Sequence, residues 1–128
     1  MSIFELKKIE AIVGKQHFYE LVIDGHSQYE EFTNTVKSNP QYYSEFKTIL
    51  AYMTFVSDLK MLPKTKFRDI TPSKDWVKEY EFKSDHLRAY TFHVEKTGKV
   101  VALWGFKNTQ NEDIKKFRSI KKRYLDTI

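Results

Sequence analysis

The sequence contains no cysteine. That excludes disulfides, thiolate metal sites and a cysteine nucleophile, and it is compatible with a reducing compartment. Only four glycines and three prolines occur in 128 residues, which provides poorly for nucleotide-cradling loops. There is neither a glycine-rich phosphate loop ending in Lys-Ser/Thr nor a Gly-x-Ser-x-Gly elbow. No apolar run approaches the roughly 18 residues of a membrane span, and Met1 to Lys8 lacks the apolar segment of a secretory signal. A cytoplasmic protein with no membrane partner is therefore expected. The histidines His17, His26, His86 and His93 include no pair at helical ligand spacing, so neither a metal site nor a cofactor is expected. Repeats, low-complexity tracts and linkers are also missing, so residues 1–128 should form a single domain.

What is present is apolar and unevenly charged. Hydrophobic residues make up 41% and aromatic residues 16% of the chain, the composition of a globular domain with a core. Residues 1–59 carry 5 Lys/Arg against 8 Asp/Glu, a net of −3, whereas residues 60–128 carry 17 against 9, a net of +8. Such asymmetry suits either a polyanion-binding face or a lysine-rich solubilising surface.

The periodicity predicts an α+β order. Residues 4–13 alternate weakly, and His17 to Ile23 form a β-branched and aromatic strand, the two making a hairpin. Ser27 and Glu30 form a capping-box pattern ahead of a helix with Tyr29, Phe32 and Val36 on one face. Asn39-Pro40 opens a second helix. Its stripe is Tyr43, Phe46, Leu50 and Met53, widened by Ile49, Val56 and Leu59, so the helices over 27–38 and 40–59 should pack on one face of a sheet. Residues 64–71 read as an irregular basic loop. Three strands follow, over 77–83, 87–95 and 99–107, the last two joined by a glycine-containing turn. The run Val100 to Trp104 suits a central strand covered on both faces. Thr109 to Glu112 repeats the capping-box pattern before a helix with Ile114, Phe117, Ile120 and Tyr124 on one side. Lys115, Arg118 and Lys122 line another side.

In this order, and in particular residues, the chain resembles the RelE/HigB-like toxins of bacterial type II toxin–antitoxin systems, the phage-derived HigB-like branch above all. The stretches that carry the resemblance are Lys78-Glu79-Tyr80-Glu81-Phe82-Lys83, Leu87-Arg88-Ala89-Tyr90 and Ala102-Leu103-Trp104-Gly105-Phe106-Lys107-Asn108-Thr109-Gln110. It spans residues 17–128 and leaves residues 1–16 as an added N-terminal strand. The resemblance implies a RelE/ParE-like fold: a twisted, mainly antiparallel sheet with two helices on one face and a basic C-terminal helix. It implies a ribosome-associated, metal-independent endoribonuclease that cuts messenger RNA, partnered by an antitoxin of the helix-turn-helix type. Two positions depart from the family pattern: Glu81 stands where a strand arginine is usual, and Trp104 where a histidine is frequent. A catalytically inert module that binds nucleic acid or protein is the alternative.

The resemblance places Arg88 and Lys107 in the catalytic site, with Lys83 beside them and Lys64, Lys66 and Arg68 contributing phosphate contacts. Attack by a 2′-hydroxyl needs such cations converging on one concave face, because negative charge develops on phosphorus oxygens. His86, in the turn before Arg88, is either a proton carrier or a surface histidine. Trp104 either stacks on a base or fills the core. Lys115, Arg118 and Lys122 extend the candidate RNA-binding set, although cations late in a helix also complement its dipole.

Overall fold

Alternation and turn chemistry build the first edge of the sheet. In the computed structural model, which describes residues 2–128, β1 (Phe4–Lys8) pairs antiparallel with β2 (Phe18–Ile23). Asp24 and Gly25, both at positive φ, turn the chain into the short β3 (His26–Ser27). Ser27 then caps α1 (Gln28–Val36) by accepting the Glu30 amide at 3.0 Å. The reciprocal half of the capping box does not form. Glu30 instead approaches Lys7 at 3.4 Å, and the Ser27 hydroxyl donates to the buried Glu20 carboxylate. Asn39 caps α2 (Pro40–Ser57) through the Tyr42 amide at 3.1 Å, with Pro40 in the first position as expected. The helix stops two residues sooner than its apolar pattern. Leu59 takes a left-handed φ of 64° and is 62% exposed, so it does not widen the buried stripe.

The basic segment is not wholly irregular: β4 (Phe67–Asp69) pairs antiparallel with β5 (Glu79–Lys83) at the far edge. β5, β6 (Leu87–Val94) and β7 (Gly98–Phe106) form the expected meander. β2 returns to pair with β7 in parallel, giving the order β1-β2-β7-β6-β5-β4 in a seven-stranded, mostly antiparallel sheet. A 3-10 turn, Lys107–Thr109, leads into α3 (Gln110–Leu125). Thr109 makes no capping bond to the helix amides; its hydroxyl donates to Asp113 Oδ2 at 2.7 Å.

The apolar residues divide into two cores, one on each face of this sheet. Phe32, Val36, Phe46, Ile49 and Met53 of α1 and α2 pack with Phe18, Phe82, Val101 and Trp104. Phe117, Ile120 and Tyr124 of α3 pack on the other face with Leu21, Tyr90, Phe92, Val100 and Leu103. The first two helices thus share a face, as their stripes require, and the C-terminal helix covers the opposite one.

Strict alternation along β7 would put Trp104 beside Val100 and Ala102. The register instead slips by one residue: Tyr90 pairs with Leu103, but Thr91 pairs with Val101, which leaves Ala102 as a bulge. Beyond the bulge the parity inverts. Trp104 enters the α1/α2 core and Gly105 faces α3, where a Cβ would collide with the Asp113 carboxylate.

α3 is also held to the sheet by buried charge. Lys121 Nζ lies 2.9 Å from Asp75, 2.8 Å from Glu79 and 2.8 Å from the Val77 carbonyl, while Arg118 Nε meets the second Glu79 oxygen at 3.0 Å. The Lys121 ammonium and the Val77 amide hold the Asp75 carboxyl below its usual range. Removing one member of a buried pair strands its partner, a larger cost than the pair's net stabilisation. Lys121→Met should therefore lower the unfolding free energy by about 3 kcal/mol in urea titrations, the low end for such a break because Arg118 stays on Glu79. A loss under about 1 kcal/mol would show that apolar packing alone docks this helix.

Candidate functional site

Strand register carries Lys66, Lys83, Arg88 and Lys107 to one end of the sheet. The Lys83 amide donates to the Lys66 carbonyl at 2.8 Å, Lys83 is the cross-strand partner of Arg88, and Arg88 is the partner of Gly105, two residues before Lys107. Four neighbouring segments therefore end together. Lys66, Lys83, Arg88 and Lys107 line one cleft of about 300 Å³ with Tyr52, Thr65, Ser84 and Asp85. The Lys66 ammonium sits 5.5 Å from the centre of the Tyr52 ring, a cation–π contact that holds it at the cleft wall.

Arg88 is buried, and most of its guanidinium is engaged. Nη1 donates to the carbonyls of Ser84 at 2.6 Å and Leu87 at 2.8 Å, and Nε points to Gln110 at 3.4 Å. Nη2 has no protein partner among the described residues, so one of the three guanidinium nitrogens is left for a ligand rather than a two-pronged fork.

Lys107 also lines a second hollow of about 560 Å³, formed with Tyr42, His86, Phe106 and Asn108. Its amide donates to the His86 carbonyl at 2.8 Å, tying the end of β7 to the turn between β5 and β6. Glu45 of α2 reaches that turn from below. Its carboxylate accepts the Ser84 hydroxyl at 2.6 Å, the His86 amide at 2.7 Å and Gln41 Nε2 at 2.9 Å, and lies 2.7 Å from His86 Nδ1. Burial alone would raise the Glu45 carboxyl, but these hydrogen bonds outweigh it and hold the group at about 2. Periodicity had given no sign of this carboxylate. The one signal was its place on the buried side of α2, next to the stripe residue Phe46, where an unpaired acid would be costly.

The remaining candidates do not join this cleft. Trp104, 6% exposed, is enclosed by Phe32, Phe46 and Tyr29, with centroids 4.9–6.2 Å away, and cannot receive a base. Arg68 turns to Glu81, with Nη2 3.1 Å from Oε1, because β4 pairs Arg68 directly with that fully buried acid. Glu81 thus lies beneath α3 and does not set a negative charge in the cleft. Lys64 is exposed outside the cleft lining. Arg118 is tied to Glu79 and to the Ile70 carbonyl at 2.8 Å. Lys122 lines a separate groove with Asp75, Glu79 and Asp126, about 18 Å along the helix axis from Gln110. Lys115 is exposed on α3 and borders none of these hollows.

Among the described residues no cluster of three or more His, Asp or Glu side chains is placed to hold a metal, and no helix is long and apolar enough to cross a membrane. Comparison of the chain with protein-family models, curated proteins and solved structures finds no match.

The Glu45 carboxyl makes stability depend on acid. Its folded value lies below the ordinary 4.5, so the stabilisation is fully present above pH 4.5 and is lost as pH falls towards 2. The shift corresponds to about 3 kcal/mol. Wild type should exceed Glu45→Gln by most of this at pH 7 in denaturant titrations, and the gap should narrow below pH 4.5 and close near pH 2. A gap independent of pH would mean that carboxylate charge is not what holds the turn.

Proposed function

We propose that this chain is an RNA-cleaving protein of the RelE/HigB-like toxin kind, cutting messenger RNA on the ribosome by 2′-hydroxyl attack without a metal. The observation that carries this reading is the convergence of Lys66, Lys83, Arg88 and Lys107, distant in sequence, on one cleft at the end of the sheet. Attack of O2′ forms an O–P bond and breaks the bond from phosphorus to O5′, leaving a 2′,3′-cyclic phosphate and a 5′-hydroxyl. Charge accumulates on the non-bridging oxygens meanwhile, and fixed cations stabilise it without reorganising. The lysines act as point charges and Arg88 supplies the free Nη2 donor. The element order supports the family reading as well: a strand, two helices on one face, a three-stranded meander and a terminal helix. An antitoxin partner is part of that proposal.

One observation favours a second reading. Arg88, the one arginine lining the cleft, has its other nitrogens on protein carbonyls and Gln110, so the cleft holds little free guanidinium. A module that binds RNA without cutting it would have this character.

The test compares cleavage of messenger RNA on translating ribosomes by wild type, Lys83→Ala and Lys107→Ala. These lysines are better probes than Arg88, whose truncation also removes bonds that hold the turn. Each variant should lose about 10²–10³ in rate. Binding of single-stranded RNA should weaken with salt at a log–log slope of about −3 for four phosphate contacts, each alanine reducing it by about 0.7. Wild-type cleavage unchanged in both variants would refute the site. A silent wild type that keeps the salt slope would establish the binding module instead.

A further inference from the structure

The cationic cleft can stabilise a phosphorane, and the reaction also needs a group that is placed to take a proton from a 2′-hydroxyl. The adjoining hollow holds such a group. His86 stands at its wall with its side chain 54% exposed, and Lys107 borders both hollows. The imidazole is fixed on two sides. Nδ1 lies 2.7 Å from Glu45 Oε2, and the Tyr42 ring packs at 5.6 Å between centroids. Tyr42 also packs on Phe106 at 5.3 Å, so the ring stands on an aromatic floor.

Which nitrogen carries the proton follows from the acceptor. An ionised carboxylate has no hydrogen to give, so Nδ1 must donate to Glu45, and the neutral ring keeps its lone pair on Nε2. Glu45 cannot turn away from this task. Its other bonds, to the Ser84 hydroxyl, the His86 amide and Gln41, fix the carboxylate to the same turn that carries the imidazole. Nε2 has no protein partner among the described residues.

We infer that Glu45 and His86 form the proton-transfer pair of this site: His86 Nε2 accepts the proton of the attacking ribose 2′-hydroxyl, and Glu45 positions the imidazole and steadies the imidazolium that forms. The inference rests on the RNA-cleaving reading and assigns the base which that reading lacks. The O2′–H bond gives its pair to phosphorus, the proton passes to Nε2, and the departing O5′ takes a proton from water in the open cleft. The ribose of the nucleotide 5′ to the scissile phosphate then lies at the hollow lined by Tyr42 and Phe106, with the phosphate on Lys107. His86 is a catalytic residue in this scheme and Glu45 a positioning residue.

The charged and titratable groups around the imidazole are Glu45 and Tyr42 from α2, Asp85 beside it in the turn, and Lys107 beyond β7. Glu45 alone among them contacts the ring as an anion. Its removal disfavours the imidazolium, so the acid limb of the pH–rate profile should move to lower pH in Glu45→Gln.

The experiment measures cleavage of ribosome-bound messenger RNA from pH 5 to 9 by wild type, Glu45→Gln and His86→Gln, with binding of a 2′-deoxy analogue as control. His86→Gln keeps the Glu45 bonds to Ser84 and to the backbone amide, so it tests the ring even where Glu45→Gln folds poorly. The expected result is a 10²–10³-fold loss and a vanished acid limb in His86→Gln, a smaller loss with a shifted limb in Glu45→Gln, and unchanged analogue binding in both. Wild-type cleavage with the same acid limb in His86→Gln would overturn the pair and leave the RNA-cleaving reading standing. A shifted limb in neither variant, with equal losses in rate, would reduce Glu45 to a structural role and overturn its assignment. A silent wild type would overturn both readings together.

Discussion

The one-residue bulge at Ala102 decides what the rest of the molecule can be. β7 is covered on both faces, so each of its side chains must enter one of two cores, and alternation allows only one assignment. The slip between the Tyr90–Leu103 and Thr91–Val101 pairs resets that assignment halfway along the strand. Before it, Val101 points to α1 and α2; after it, Trp104 does. Without the bulge a tryptophan would press on the first turn of α3, where Gly105 now lets the Asp113 carboxylate approach. The same parity change sets Phe106 under Tyr42 and delivers Lys107 to the junction of the two hollows. A packing irregularity in the core thus aims a cation at the rim.

Charge is sorted by a second constraint, the desolvation of acids beneath α3. Glu79 and Glu81 project from β5 into the layer under that helix, and both are fully buried. A buried carboxylate needs partners, and the nearest cations are Lys121, Arg118 and Arg68. Three of the basic residues of the C-terminal half are therefore tied to buried acids. Their acid partners are already counted in the net of +8, so the excess charge rests on the other basic residues, of which Lys66, Lys83, Arg88 and Lys107 meet at one end of the sheet.

This sorting also explains what sequence could reveal. Helices α1 and α2 and the three-stranded meander were legible, because period and turn chemistry are local or nearly local properties; the basic candidates came from the resemblance, and of these Lys66, Lys83, Arg88 and Lys107 share a cleft whereas Lys64 and Arg68 do not join it. Trp104 was ambiguous, since a bulge inverts parity and leaves no mark on composition. Arg68 and Arg118 read as free cations because their acid partners lie 13 and 39 residues away across strand pairings and a helix packing. Glu45 was missed for a related reason. It serves a turn 39 to 41 residues further on, and an acid on the buried side of an apolar helix looks from sequence like a break in a stripe. Thr109 shows the converse error: a capping pattern was present, but a 3-10 turn placed its hydroxyl on a side chain instead of a helix amide.

An anion beside a cationic cleft would seem to work against a phosphate site. At an effective dielectric constant of about 20, two unit charges 8 Å apart interact by about 2 kcal/mol, so one carboxylate offsets roughly one lysine at equal distance. Four cations against Asp85 and Glu45 still leave the region positive. The Glu45 carboxylate acts on the His86 ring at 2.7 Å, whereas its repulsion on a phosphate is weakened by distance and by the four donors that surround it. In the proposed cleavage, therefore, the acid serves the imidazole at little cost to phosphate binding.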